Sequence, residues 1–208
     1  MFGIHDFALF LAAAILLNLT PGPDTAYILG RSIAEGRDAG IASALGISVG
    51  SIFHTCAAAL GLSAVLATSA VAFSAIKLLG GAYLIFLGLK MILYRSGQFR
   101  VPPNFRRRTA AAAFQQGIFT NMLNPKVALF FLAFLPQFID PASNTKVLAF
   151  LVLGFTFVTT GTIWCLILAW FASAFSERLR ANETIEHWLD RAAGTLFIFL
   201  GLRLATAK

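Results

Sequence analysis

The stretch Asn18-Leu19-Thr20-Pro21-Gly22-Pro23-Asp24 interrupts an apolar run that begins near Phe7 and resumes at Ala26. Each proline lacks a backbone N–H and clashes with the preceding turn, which costs about 3 kcal/mol in a helix interior. In a bilayer the freed backbone groups find no water, so such a break is tolerated only where it faces protein or a wet cavity. A carboxylate such as Asp24 costs a further ~2.5–3.5 kcal/mol there. The stretch therefore indicates a functional site within a membrane. The alternative is a kink that leaves Asp24 at the membrane interface.

Composition supports the membrane interpretation. The chain of 208 residues is 58% hydrophobic and 12% charged, with a mean hydropathy of +0.80, whereas soluble domains carry about 25% charged residues. The formal net charge of +7 does not indicate nucleic-acid binding, because the basic residues fall in short connections between apolar runs. The segment Met1–Asp6 has no basic region, so we expect no cleaved signal peptide.

Six apolar stretches have a length near the ~20 residues that span a bilayer. We place them at about 6–29, 40–66, 70–94, 114–138, 147–174 and 187–206. The long connection at 95–113 is basic, and we expect it to be a solvated loop. We predict a single membrane domain over 1–208, with one repeat at about 6–94 and a second at about 114–206.

The distribution of basic residues predicts the orientation. With the N-terminus outside, the inner connections hold ten basic residues: Arg31, Arg37, Arg95, Arg100, Arg106, Arg107, Arg108, Arg178, Arg180 and Arg191. The outer segments hold three: Lys146, Arg203 and Lys208. Since cytoplasmic loops carry the excess of Lys and Arg, the 95–113 loop is predicted to be cytoplasmic and both termini to lie outside.

The two halves of the chain resemble one another. Three segments reappear three spans later: Ile85-Phe86-Leu87-Gly88-Leu89-Lys90 as Ile198-Phe199-Leu200-Gly201-Leu202-Arg203, Gly50-Ser51-Ile52-Phe53 as Gly161-Thr162-Ile163-Trp164, and Thr20-Pro21 as Asn124-Pro125. A unit with an odd number of spans inverts when it is copied, and paired broken helices then mark a transporter's binding site. The sequence therefore predicts an all-α membrane protein of six transmembrane helices, built as two inverted three-helix repeats with broken helices 1 and 4.

The second break, Asn121-Met122-Leu123-Asn124-Pro125-Lys126, has the residues that restart a helix. Asn is a preferred N-cap and Pro is favoured at the first helical position, and Thr20 or Gly22 can cap the first restart in the same way. A helix N-terminus favours a carboxylate, and Lys126 adds a positive charge. Asp24 and Lys126 either bind substrate or pair with each other. The candidate binding residues are Asn18, Thr20, Pro21, Gly22, Asp24, Asn121, Asn124, Pro125 and Lys126.

His54 shares a helix face with Gly46 and Gly50. Gly-x-x-x-Gly indicates close helix packing, so His54 is either a packing residue or, with Asp24, a proton-coupling residue. Cys56 and Cys165 lie in apolar segments without metal-ligand spacing, and we predict neither a metal nor another cofactor.

These segments together resemble the LysE/RhtB family of bacterial amino-acid exporters. The resemblance rests on Thr20-Pro21-Gly22-Pro23, Gly46-x-x-x-Gly50-x-x-x-His54, Gly80-Gly81-Ala82-Tyr83-Leu84 and Asn124-Pro125-Lys126 followed by Leu135-Pro136-Gln137-Phe138. It implies six spans in the bacterial inner membrane and efflux of amino acids such as threonine, homoserine, leucine or lysine by proton exchange. It also implies that the segments Thr20 to Asp24 and Asn124 to Lys126 form the site.

We therefore predict an exporter of small amino acids. Because Asp24 is the one carboxylate deep in a predicted span, the cargo is expected to be neutral rather than cationic. Export of a cation or another small metabolite, and a membrane subunit that transports nothing, remain as alternatives. A membrane enzyme would need a convergent catalytic set, which the sequence does not contain. The expected partners are the amino acid, protons and the lipid bilayer, and the sequence leaves open whether the chain forms a homo-oligomer.

Overall fold

The computed structural model describes residues 2–68, 70–93, 109–172, 188, 191–192, 194–199 and 201–202. These residues are predominantly helical. The helices are α1 Phe7–Leu19, α2 Pro23–Glu35, α3 Arg37–Ala57, α4 Ser63–Thr68, α5 Ala70–Leu93, α6 Ala110–Met122, α7 Pro125–Leu129 and α8 Lys146–Trp170. A π-helical turn, Ala58–Leu62, joins α3 to α4, and Phe130–Phe134 and Leu135–Phe138 continue α7 as π and 3₁₀ turns.

Several of these helices are long and apolar enough to cross a membrane. Arg37–Val65 and Lys146–Trp170 qualify as single helices, and two bent pairs qualify when each pair is counted as one span. The first pair, α1 with α2, is bent by 46°, and the second, α6 with the helical run Pro125–Phe138, by 45°. The described residues thus form an all-helical structure whose apolar helices are compatible with a membrane protein. This finding does not test the predicted count of six spans or their inverted arrangement. Part of the sixth predicted stretch, 187–206, lies outside the described residues.

The first break lies where the sequence predicts it, and of the two predicted caps of the restart, Thr20 and Gly22, the structure has Gly22. Thr20 ends α1, and its hydroxyl donates to the Leu16 carbonyl at 2.7 Å. The next helix begins at Pro23 with Gly22 as N-cap, and no side chain caps it. Thr20 therefore closes the preceding helix instead of capping the following one. The reason is that Pro21 cannot supply the N–H that would continue α1.

The second break follows the prediction closely. Asn124 is the N-cap of α7, and its side-chain oxygen accepts the backbone N–H of Lys126 at 3.0 Å. The helix before the break begins at Ala110, not at 114, because the Thr109 side chain caps it and a run of alanines follows. The end of the predicted 95–113 loop is therefore helical, and 94–108 lie outside the described residues.

Helix α3 packs closely on both α6 and α8 because small residues line the contacts. A methyl group added at Gly50 would lie 2.8 Å from the Cβ of Asn121, and one added at Gly46 would meet the Phe114 carbonyl. On the other side, a methyl group at Gly154 of α8 would meet the Thr55 side chain. Such close approaches are typical of small residues at helix interfaces in membranes. They bring α6 and α8 against α3.

A second set of glycine contacts has a matched geometry. A methyl group at Gly88 of α5 would lie 2.5 Å from the Gly194 carbonyl and 2.8 Å from Cγ1 of Ile198. A methyl group at Gly201 would lie 2.6 Å from the Gly81 carbonyl and 2.7 Å from Cγ1 of Ile85. If the segment around Gly88 and the segment around Gly201 exchange places, the contacts of Gly88 become those of Gly201, and the reverse. Two antiparallel helices in contact have this property when a local two-fold axis lies perpendicular to them.

Candidate functional site

A small buried cavity lies where the two helix breaks meet α3 and α8. Its volume is about 40 Å³, and because a water molecule needs about 10–15 Å³ of such space, it has room for a few waters. The sequence-predicted residues that line it are Asn18, Thr20, Gly22, Asp24, Asn121, Asn124 and Lys126. The two breaks, far apart in sequence, thus contribute to one site.

Asp24 is the second residue of α2, and the break in the chain directs it at the cavity. One carboxylate oxygen, Oδ2, accepts a hydrogen bond from Nδ2 of Asn121 at 2.8 Å. The other oxygen, Oδ1, is buried and has no hydrogen-bond donor among the described residues. A buried polar atom of this kind is costly unless a partner satisfies it. The cavity therefore contains a carboxylate that is held on one side and open on the other.

Lys126 is the second residue of α7 and approaches the same cavity from the opposite break. Its Nζ donates to the carbonyl of Leu17 at 2.9 Å and to that of Thr20 at 2.8 Å. These carbonyls belong to the last turn of α1 and its C-cap, where the helix has no N–H partners of its own and a cation is favoured. Lys126 thus holds the interrupted end of α1. Direct pairing with Asp24 stays a prediction.

Small polar residues on α3 and α8 complete the polar wall of the cavity. Asn18 donates from Nδ2 to the Thr160 hydroxyl at 3.1 Å, and Thr162 donates to the Ser48 hydroxyl at 2.7 Å. Ser51 donates to Oδ1 of Asn121 at 3.2 Å. These hydroxyls were not predicted from the sequence. Their signal is weak because Ser and Thr occur throughout membrane helices and often donate to their own helix, as Ser48 does to Ala44.

Three of the sequence-selected residues stand outside the cavity lining. His54 is buried, and its Nε2 lies 3.1 Å from the carbonyl of Asn121, beside the ring of Phe131. It therefore supports the residue that binds Asp24, and its proton-coupling role stays a prediction. Pro21 and Pro125 are not among the lining residues; they shape the backbone that carries Asp24 and Lys126.

The rest of the wall is apolar. Ile47 of α3 and Phe157, Val158 and Trp164 of α8 line it, together with the thiol of Cys165. The second cysteine, Cys56, is exposed on the surface of α3. Within the described part of the chain, no group of three or more His, Cys, Asp or Glu side chains is placed to bind a metal ion. One side of the cavity is charged and hydrogen-bonding, and the other suits an apolar group.

The model of the LysE type translocator family matches residues 15–208, which include both breaks and every residue of the cavity. The chain belongs to the LysE type translocator family. It is therefore a membrane transporter and not an enzyme.

Relatives of this translocator match over essentially the whole chain. An uncharacterized membrane protein of Vibrio cholerae serotype O1 is 30% identical over 99% of this chain and 98% of its own length. The membrane protein YrhP of Bacillus subtilis is 28% identical over 96% of this chain and 98% of its own. A leucine efflux protein of Klebsiella pneumoniae is 27% identical over 100% of this chain and 98% of its own. No solved structure matches the chain.

Proposed function

We propose that this LysE type translocator exports a neutral amino acid from the cytoplasm across the bacterial inner membrane, in exchange for protons. One observation carries the proposal: the cavity between the two breaks contains the open carboxylate oxygen of Asp24 together with the ammonium group of Lys126. A free amino acid is a zwitterion, and neither of its charges enters a dry site without a partner. The cavity supplies one group of each sign.

The charges also support the choice of a neutral cargo. The ammonium group of the substrate binds the open side of Asp24, and the substrate carboxylate binds Lys126. Lys126 then gives up its hydrogen bonds to the carbonyls of Leu17 and Thr20 and pairs with a full negative charge instead. Asp24 is the acidic residue in the lining, so no second carboxylate is left for a cationic side chain. The apolar wall beside Phe157 and Trp164 takes an apolar side chain. Leucine, which the Klebsiella relative is named for, is the first cargo to test.

Competition for Asp24 explains how export is coupled to protons. A carboxyl group that binds either a proton or an ammonium group, but not both, prevents the two from crossing together. The site faces each side of the membrane in turn and exchanges the proton for the amino acid, which is antiport. His54 is the second proposed proton-coupling residue: its Nε2 contacts the backbone carbonyl of Asn121, whose side-chain amide donates to Asp24. A charge on His54 therefore acts on Asp24 through Asn121 without a proton passing through the amide.

We further propose that the two halves, about 6–94 and 114–206, form inverted repeats around this cavity. The matched contacts of Gly88 and Gly201 support an axis perpendicular to the helices, which in a spanning helix pair lies in the membrane plane. An experimental structure would contradict the arrangement if its halves superposed only about the membrane normal, or not at all.

The cavity of about 40 Å³ is too small for an amino acid, so the described conformation is the occluded one in this proposal. Reconstituted vesicles test the function directly. They are loaded with a mixed pool of amino acids, a pH gradient is imposed, and the external pool is analysed. We expect neutral amino acids, leucine among them, to leave faster than from vesicles without a gradient. Export of lysine or arginine alone, or of no amino acid, would contradict the proposal.

A further inference from the structure

A second charged cluster lies on the same helix as Asp24, outside the cavity lining. Tyr27, Arg31 and Glu35 follow Asp24 along one face of α2 at spacings of three or four residues. Arg31 was predicted to lie in an inner loop, which is wrong: it belongs to α2, its side chain is 3% exposed, and that of Glu35 is 4% exposed. Arg31 forms an ion pair with Glu35 through its Nη1. Two opposite charges are therefore buried on a helix of a membrane protein.

The cluster fastens α2 to α6. Arg31 donates from Nη2 to Oε1 of Gln116 at 2.6 Å, and the Tyr27 hydroxyl donates to the Ala113 carbonyl at 2.8 Å. The guanidinium of Arg31 also lies over the ring of Tyr27, 5.5 Å from its centroid. A buried ion pair is usually no more stabilising than apolar packing of the same size. Stability alone therefore gives no reason for these charges.

The position of the cluster indicates a functional reason for the buried charges. The first contact between α2 and α6 is that of Asp24 with Asn121, at the cavity. From there α2 runs to Glu35, and α6 runs back to its start at Ala110. The cluster closes the contact surface, or seam, between these two helices. It lies between the cavity and the face of the protein at which α2 ends and α6 begins. The basic connection before α6 predicts that this face is cytoplasmic.

We propose that Arg31 and Glu35 form an entry site for the amino-acid zwitterion, through which it reaches the cavity from this face. The substrate carboxylate binds Arg31 and its ammonium group binds Glu35, so the substrate replaces the bond that the two side chains make to each other. Arg31 then releases Gln116, which leaves the bond of Tyr27 to Ala113 as the described hydrogen bond of the cluster that α2 must break to separate from α6. This inference rests on the proposed function and adds a second site to it.

The selectivity of the entry site follows from charge balance. Separation of a buried ion pair leaves two uncompensated charges. A zwitterion offers both opposite charges at once, whereas a cation or an anion satisfies one residue and leaves the other unpaired. The seam therefore opens for a zwitterion and stays closed for a molecule of similar size that carries one charge.

The thiol of Cys165 serves as the reporter, because it lines the cavity. The parent protein carries Cys56→Ala, which removes the exposed thiol, and Asp24→Asn, so that substrate does not stay in the cavity and shield Cys165. Inside-out membrane vesicles expose the face that is predicted to be cytoplasmic. An impermeant thiol reagent is added with leucine, with leucine methyl ester, which is a cation, or with N-acetyl-leucine, which is an anion.

We expect leucine to accelerate the modification of Cys165 by about fivefold or more, the lower end of ligand-coupled shifts. The ester and the N-acetyl derivative are expected to leave the rate unchanged. The double change Arg31→Gln and Glu35→Gln should abolish the response to leucine. Arg37→Gln is the matched control: Arg37 is exposed near the same end of α2 and lies over Trp170, and this variant should respond as the parent does.

Gln116→Ala provides a second variant that keeps both charges. It loses the bond of Arg31 to Gln116, one of the bonds between α2 and α6, so we expect faster modification of Cys165 without leucine. The entry site is wrong if leucine has no effect in the parent, if all three compounds act equally, or if the double variant responds as the parent does. Leucine export by the wild-type protein in vesicles is measured in parallel. Export without acceleration contradicts the entry site alone, whereas no export of any amino acid contradicts the proposed function.

Discussion

The two helix breaks have the same geometry and opposite chemistry. Each bends its helix pair by a similar angle, 46° at the first and 45° at the second, and each restarts with proline at the first helical position. The next residue is charged in both, but it is Asp24 in the first and Lys126 in the second. Each charged side chain bonds to the end of the helix before the opposite break: Asp24 to Asn121, and Lys126 to Leu17 and Thr20.

In the proposed function, this difference adapts two breaks of similar geometry to an asymmetric ligand. Two identical breaks would present two carboxylates or two ammonium groups, and like charges at one cavity repel each other. One charge of each sign instead matches the two ends of an amino acid. The similar geometry of the breaks places both charges at the cavity, and their opposite signs are the proposed basis of its specificity for a zwitterion.

The largest expected effect is at the charge of the first break. Asp24→Asn removes the group that both the substrate ammonium and the proton need, so gradient-driven efflux should fall by about 100-fold or more, as expected when a buried charge loses its partner. The protein should remain folded, because an amide still bonds to Asn121. Efflux from vesicles is the measurement, and Asp38→Asn, at an exposed position of α3, is the control. Wild-type efflux in the Asp24 variant would show that Asp24 is a structural charge only.

Removal of the charge of the second break should affect binding and stability together. Lys126→Ala loses hydrogen bonds from a charged group to the end of α1, so we expect the unfolding free energy to fall by about 2 kcal/mol and leucine binding to weaken by about tenfold. Thermal unfolding in detergent and equilibrium binding measure the two effects. Lys146→Ala, at the start of α8, is expected to change neither. Weaker binding with unchanged stability would contradict the role of Lys126 in holding α1.

The smallest expected effect is a difference in stability between variants of the two N-cap residues, Asn124 and Gly22. Asn124→Ala removes the bond to the backbone N–H of Lys126 and should destabilise the protein by about 1 kcal/mol. Gly22→Ala removes no side-chain cap, and its added methyl group would lie 3.6 Å from Nζ of Lys126, an ordinary contact. We therefore expect a smaller loss at Gly22. Equal losses in thermal unfolding would mean that the two restarts are stabilised alike.

The breaks were predictable from sequence because proline acts locally. Pro21, Pro23 and Pro125 lack the N–H that would continue the preceding helix, whatever surrounds them. The polar partners on other helices were not predictable in this way. Nothing in the sequence around Ser48 distinguishes it from other small polar residues of membrane helices. Arg31 looked like a loop charge because its partner Gln116 comes from a distant helix, and only tertiary packing brings the two together.

The seam on the other side of the cavity differs from the one closed by Arg31. Phe10 of α1 contacts Phe130, Phe134 and Phe138, with ring centroids 6.3, 6.2 and 5.4 Å away, and all four rings are essentially buried. These rings offer no hydrogen bonds to a file of water molecules, and apolar constrictions exclude water. In a proton-coupled exporter a continuous file of water would carry protons across without cargo. If export is coupled to protons as proposed, the aromatic seam therefore prevents protons from crossing without cargo and preserves the gradient.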